Sequence, residues 1–137
     1  MSLVNPLAIV LATVAGMSVG AVWFARPVFG VAWRELAALG PDAPVRPAVT
    51  YGGALVATAL FAGAVAVAAE TAARAYAVPL PAAAFGAALV LWAGVAVARP
   101  AVASLFEGHP VRLFLIHSGH DLAVALVVAA IIALVGR

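Results

Sequence analysis

The chain has 137 residues, 67% of them hydrophobic and 9% charged, with a formal net charge of +2. Its mean hydropathy of +1.21 lies far outside the range of a water-soluble fold and puts it in a lipid bilayer as one domain, residues 1–137. The absence of cysteine excludes disulfides, thiolate metal sites and thiol catalysis, and seven arginines spread along the chain form no basic patch of the kind nucleic acid needs.

The first apolar run, residues 3–25, is long enough to span and ends at Arg26-Pro27, where charge and a missing amide both favour leaving the helix. No basic residue precedes it and no small-x-small cleavage site follows, so it reads as a retained span rather than a signal peptide. Along it Ala8, Ala12, Gly16 and Gly20 recur every four residues, a small-residue stripe on which another helix packs closely. Trp23 and Phe24 close the span as interfacial anchors. Over residues 28–39, Phe29, Trp33, Leu36 and Leu39 share one side and Arg34 and Glu35 the other, which predicts a short amphipathic helix along the membrane surface. Gly40-Pro41 ends it, and Pro41 to Pro47 is a stiff polar connector.

The second span covers residues 48–69, with Tyr51 near its start and Glu70 and Arg74 at its end, spaced for an intrahelical ion pair. Residues 78–81, with prolines at 79 and 81, predict a tight turn. The third span covers residues 82–98 and stops at Arg99-Pro100. A linker carrying Phe106, Glu107, Gly108, His109 and Pro110 leads into the last span, residues 111–135. The expected fold is all-α: an integral membrane four-helix bundle with a short interfacial amphipathic helix between spans one and two. Four short spans with Gly/Ala faces have little interior of their own, so a homo-oligomer is the expected assembly. Arg26, Arg34, Arg46, Arg99 and Arg112 fall on the side of the loops after spans one and three, against Arg74 and Arg137 on the other. The positive-inside rule then puts both termini outside. Arginine without lysine in a chain rich in Ala, Gly and Val fits a high-G+C bacterial coding bias, hence the bacterial inner membrane.

The last span carries the polar chemistry. Its clean apolar run from Leu122 to Val135 covers only about 21 Å of a hydrocarbon core about 30 Å thick, so the span takes in the residues before it. Asp121 then lies at least one turn below the surface. His117 stands four residues before Asp121 and His120 about 60° from His117 around the helix, so one face holds three polar groups. Arg26, Arg99, Glu107, His109 and Arg112 belong to the same leaflet.

Three readings of this cluster stay open. His117, His120 and Asp121, joined by His109 or Glu107, are donors of the type a divalent metal such as zinc takes; no other cofactor is implied. Alternatively, Asp121 is the titrating acid of a small proton- or ion-coupled transporter or channel. In the third reading, Asp121 and His117 hydrogen-bond to each other and to a neighbouring span, fixing helix register or an oligomer interface. Ser104 and Ser118 lie near histidines, but no nucleophile–base–orienter set forms, and an enzyme is not expected.

The residues Asn5-Pro6-Leu7, Gly20, Trp23-Phe24, Pro27, Phe29-Gly30, Trp33 and Gly40, followed by Glu107-Gly108, Leu113-Phe114 and Gly119, stand in an order that resembles the bacterial family catalogued as domain of unknown function 1761. The resemblance covers the whole chain and implies a small polytopic membrane protein without an assigned activity. Where the family pattern has Asn and Tyr flanking the last-span glycine, this chain has His117 and His120, so no role for the imidazoles follows from it. Gly119 joins the packing glycines. The expected function is that of a polytopic inner-membrane protein with a packing, oligomeric or small-ligand-binding role.

Overall fold

Asn5 starts the first helix. In the computed structural model, which describes residues 4–38 and 46–136, its side-chain oxygen accepts from the Leu7 amide at 3.0 Å, and Pro6 occupies the first helical position, where no amide is needed. The expected start of the first span at Leu3, the end of the amphipathic helix at Leu39 with its Gly40-Pro41 stop, the connector from Pro41 to Val45, and Arg137 lie outside the described residues.

Helix α1 runs Pro6–Trp23. A π-helical turn, Arg26–Gly30, follows and leads directly into α2, Val31–Leu36. Gly30 closes that turn, donating to the Ala25 carbonyl at 3.0 Å; a Cβ there would collide with the Phe24 carbonyl oxygen. Helix α3 runs Pro47–Ala75, more than a turn beyond the expected end of span two, and the Glu70–Arg74 pair forms within it at 3.4 Å.

The third span differs most from expectation. Helix α4, Leu80–Leu91, passes through a π-helical turn, Trp92–Val97, into α5, Ala98–Glu107, so Arg99-Pro100 does not end the helix. The wider turn, in which the Ala98 amide reaches back to the Ala93 carbonyl, sets α5 off almost as a new helix. Pro100 then sits in a first turn, where a missing amide is tolerated. Gly108, with φ +69°, caps α5 in the left-handed conformation. Helix α6 then runs unbroken over Val111–Val135.

Among the described residues there is no strand, and four helices are long and apolar enough to cross a membrane: Pro6–Trp23, Pro47–Ala75, Leu80–Glu107 and Val111–Val135. The chain is an all-α, multi-pass membrane bundle. Around it the neighbours are α1, α3, α4, α6 and α1 again, each antiparallel to the next. The core is mostly alanine: Ala12, Ala62, Ala66, Ala69, Ala84, Ala88, Ala125 and Ala129 are buried, with Val65, Leu80, Val128 and Ile132 as its largest members. Methyl-sized side chains let the backbones approach, and in lipid that close van der Waals contact replaces the hydrophobic drive. By their positions these residues fill the half of the bundle nearer the chain termini. In the other half, residues 47–57 of α3 are all exposed, and a groove opens between α3 and α1.

Candidate functional site

Two ties set the level of α1 against α6. At one end the Asn5 side-chain amide donates to the Val135 carbonyl at 2.8 Å. At the other, Trp23 Nε1 donates to the Ile116 carbonyl at 3.2 Å. Helix α1 therefore ends level with the second turn of α6. If Val135 marks the far edge of the hydrocarbon, the rise per residue puts His117 about 3 Å and Asp121 about 9 Å inside the near edge.

Glycines on both helices make this approach close enough to build a cluster. A Cβ at Gly119 would stand 3.1 Å from the Trp23 ring, and one at Gly20 would stand 3.3 Å from His120 Nε2. His120 thus enters the gap at Gly20, with its ring 4.9 Å from that of Phe24 and edge-on to Trp23 at 6.3 Å. Phe29 of the π turn covers Trp23 at 4.8 Å, and Trp33 of α2 covers Phe24 at 5.2 Å. The predicted surface helix has folded back as an aromatic lid over the end of α1. Trp23 and Phe24 are contacts between elements rather than simple anchors to lipid.

Asp121 is paired differently from the arrangement that the helical spacing predicts. Its Oδ1 lies 3.0 Å from His120 Nδ1, while His117 sits with its ring 6.0 Å from Phe24. The cause is the neighbouring helix. With Nε2 of His120 turned toward Gly20, Nδ1 is left facing back along α6 to the adjacent carboxylate. An ionised carboxylate only accepts, so Nδ1 is the donor in that state.

The groove has a volume of about 1150 Å³, and its polarity is graded. Its closed end lies between Gly16, Phe61 and Val124, where the Gly16 position is only 2.8 Å from a Thr58 methyl on the basis of an added Cβ. Ala21, Ala54 and Ala57 line its flanks, His120 and Asp121 stand on its α6 wall, and Arg26, Trp33, Arg34 and Tyr51 surround the mouth. From Gly16 to Phe24 along α1 is about 12 Å, and from Thr50 to Phe61 along α3 about 16 Å. The Asp121 side chain is 42% exposed and that of His120 20%.

The sequence of the chain matches the family described as Protein of unknown function (DUF1761) over residues 7–133. The chain belongs to that family. Comparison with curated proteins gives no match, and comparison with solved structures gives none. What this family member places together is narrower than the eight-residue polar group of its sequence. Arg26, His120 and Asp121 share the groove. Glu107 and His109 instead pair with each other at 3.3 Å, both more than a third exposed, while Arg99 and Arg112 stand exposed on α5 and the first turn of α6, away from the groove lining. No group of three His, Cys, Asp or Glu side chains among the described residues is placed to hold a metal ion, so His117, His120 and Asp121 do not converge as ligands. The packing residues Ala8 and Ala12 are buried, 1% and 0% exposed, and Gly16, Gly20 and Gly119 each face a neighbouring helix. Sequence reasoning missed Arg34, Tyr51 and Trp33 as groove residues; Trp33 and Arg34 lie on a segment whose amphipathic pattern is visible but whose docking partner is not, and Tyr51 lies on a span whose uniform hydropathy marks no face.

Proposed function

We propose that this chain is a ligand-binding bundle of the bacterial inner membrane, with both termini on the outer face, and that the groove between α1 and α3 takes a small amphipathic molecule. The observation that carries this reading is the graded cavity. At about 1150 Å³ it exceeds the roughly 300–1,000 Å³ of sites for drug-sized ligands. A pure packing seam would be filled by side chains, as the alanine core is; here an apolar trough opens to lipid, with charged groups gathered at one end. In reconstituted vesicles containing a photoactivatable alkyl-diazirine lipid, adducts are expected to concentrate on Ala21, Ala54 and Ala57. Adducts spread evenly over the outward faces of α3 and α4 would overturn the reading.

A second reading, proton- or ion-coupled movement centred on Asp121, draws on one observation: a carboxylate inside a span with 42% of its side chain exposed to the groove. The path beyond it is closed in this structure, since Gly16, Thr58 and the alanine core fill the way to the opposite side. Proton flux measured in liposomes, with Asp121→Asn as the comparison, separates the two readings.

A further inference from the structure

We infer that the groove holds an anionic phospholipid of the leaflet at its mouth, with the phosphate head at Arg26 and Arg34 and one acyl chain along α1 and α3. This rests on the groove being a ligand site. Three observations select the occupant. The first is depth: the trough runs about 12–16 Å along its two helices, close to the roughly 15 Å of one hydrocarbon leaflet, half of a core about 30 Å thick. An acyl chain entering from the lipid side fills it without crossing the midplane.

The second is charge. Arg26 and Arg34 both line the mouth, and among the described residues the one acidic side chain in the lining is Asp121. That carboxylate is engaged by His120 at 3.0 Å and lies on the wall near Gly20, about 6 Å deeper than Phe24 along α1. A phosphate at the mouth therefore meets cations first. Guanidinium groups suit phosphate because their fixed forks offer paired N–H donors. The third is the setting of the two arginines. Trp33 and Tyr51 line the same end, and their amphipathic rings favour the headgroup level, where a bound phosphate would also lie. The small residues Gly16, Ala21, Ala54 and Ala57 line the space below.

Two arginines bind a phosphate from solution or the carboxylate head of a fatty acid by the same chemistry, so the experiment carries both. The full-length protein in detergent is titrated with dioleoyl phosphatidylglycerol, dioleoyl phosphatidylcholine, oleate and inorganic phosphate, and bound species are counted by native mass spectrometry. The expected result is one phosphatidylglycerol per chain, held at least tenfold more tightly than phosphatidylcholine. The preference should shrink as ionic strength rises, and should be lost in Arg26→Gln and in the Arg26→Gln/Arg34→Gln pair while persisting in Arg99→Gln. Ala57→Trp, which fills the trough without touching the arginines, should abolish binding of either lipid. Arg26 is exposed, so the single variant keeps the test alive if the pair does not fold. Equal binding of both phospholipids, each blocked by Ala57→Trp, would overturn the anionic assignment and leave the amphiphile groove standing. Equal binding of oleate or of inorganic phosphate would overturn the phospholipid assignment. Lipid binding indifferent to Ala57→Trp would remove both the inference and the groove reading beneath it.

Discussion

Ser118 shows how tightly α6 is engaged around the polar cluster. Its backbone carbonyl accepts from Trp92 Nε1 at 2.9 Å, while its own hydroxyl is buried without a hydrogen-bond partner. A buried polar atom with no partner carries its desolvation cost uncompensated, so Ser118→Ala should raise thermal stability in detergent by about 1 kcal/mol. A loss of stability instead would show that the hydroxyl is bonded in the solubilised protein. Asp121 tests the site itself. Under the ligand-binding reading, wild type and Asp121→Asn should be equally silent in a liposome proton-flux assay; flux in the wild type that disappears in the variant would establish the transport reading. At this scale the sequence was legible for residue types and misleading for partners. The four-residue spacing of His117 and Asp121 makes them neighbours on one helix, but the gap at Gly20 and the rings of Trp23 and Phe24 decide which imidazole turns to the carboxylate. No periodicity within α6 carries that information.

Helix ends and interruptions show the same division. After α3 the chain turns through Ala77 at φ +51°, and the Val78 amide reaches the Ala73 carbonyl at 3.2 Å. That is a Schellman closure with alanine where glycine is the comfortable residue. A left-handed conformation costs an L-residue about 1–2 kcal/mol, so Ala77→Gly should stabilise the detergent-solubilised protein by about 1 kcal/mol after the loss of unfolded-state restriction, read as a higher melting temperature. The seam between α1 and α3 should respond in the other direction. Gly16→Val places a branched side chain where a bare Cβ already stands 2.8 Å from Thr58 and 3.3 Å from Val124, whereas a Cβ at Gly63 meets nothing within 4 Å. The first should cost about 1–3 kcal/mol of stability and Gly63→Ala should cost nothing in the same unfolding assay. Length and hydropathy made all four spans legible. The run through Arg99-Pro100 was not, because a proline reads as a stop unless a wider turn just before it absorbs the missing amide, and Trp92–Val97 has no composition that announces one.

On the scale of the whole molecule, the groove was the least legible feature. Its walls come from α1, the Arg26–Gly30 turn, α2, α3 and α6, with Ala96 of the Trp92–Val97 turn, and the ties from Asn5 and Trp23 to α6 leave α1 to finish while α3 is still exposed. Sequence arithmetic saw each wall and not the space between them. The same up-and-down topology makes orientation a property of the bundle rather than of any helix: the turn through Tyr76 and Pro79 lies with the chain termini, and the cap at Gly108 lies with Arg26, Arg34 and Arg46. The positive-inside rule assigns the second group to the cytoplasm, which would open the groove mouth toward the inner leaflet, where anionic headgroups and a basic rim favour each other. Because the native chain has no cysteine, single thiols report cleanly. In spheroplasts, a membrane-impermeant maleimide should label Tyr76→Cys, at a position 77% exposed. Glu107→Cys, whose native side chain is 59% exposed, should be labelled only after lysis. The reverse pattern would turn the bundle over and move the groove to the outer leaflet, and labelling of both from outside would mean that the arginine balance does not fix one orientation.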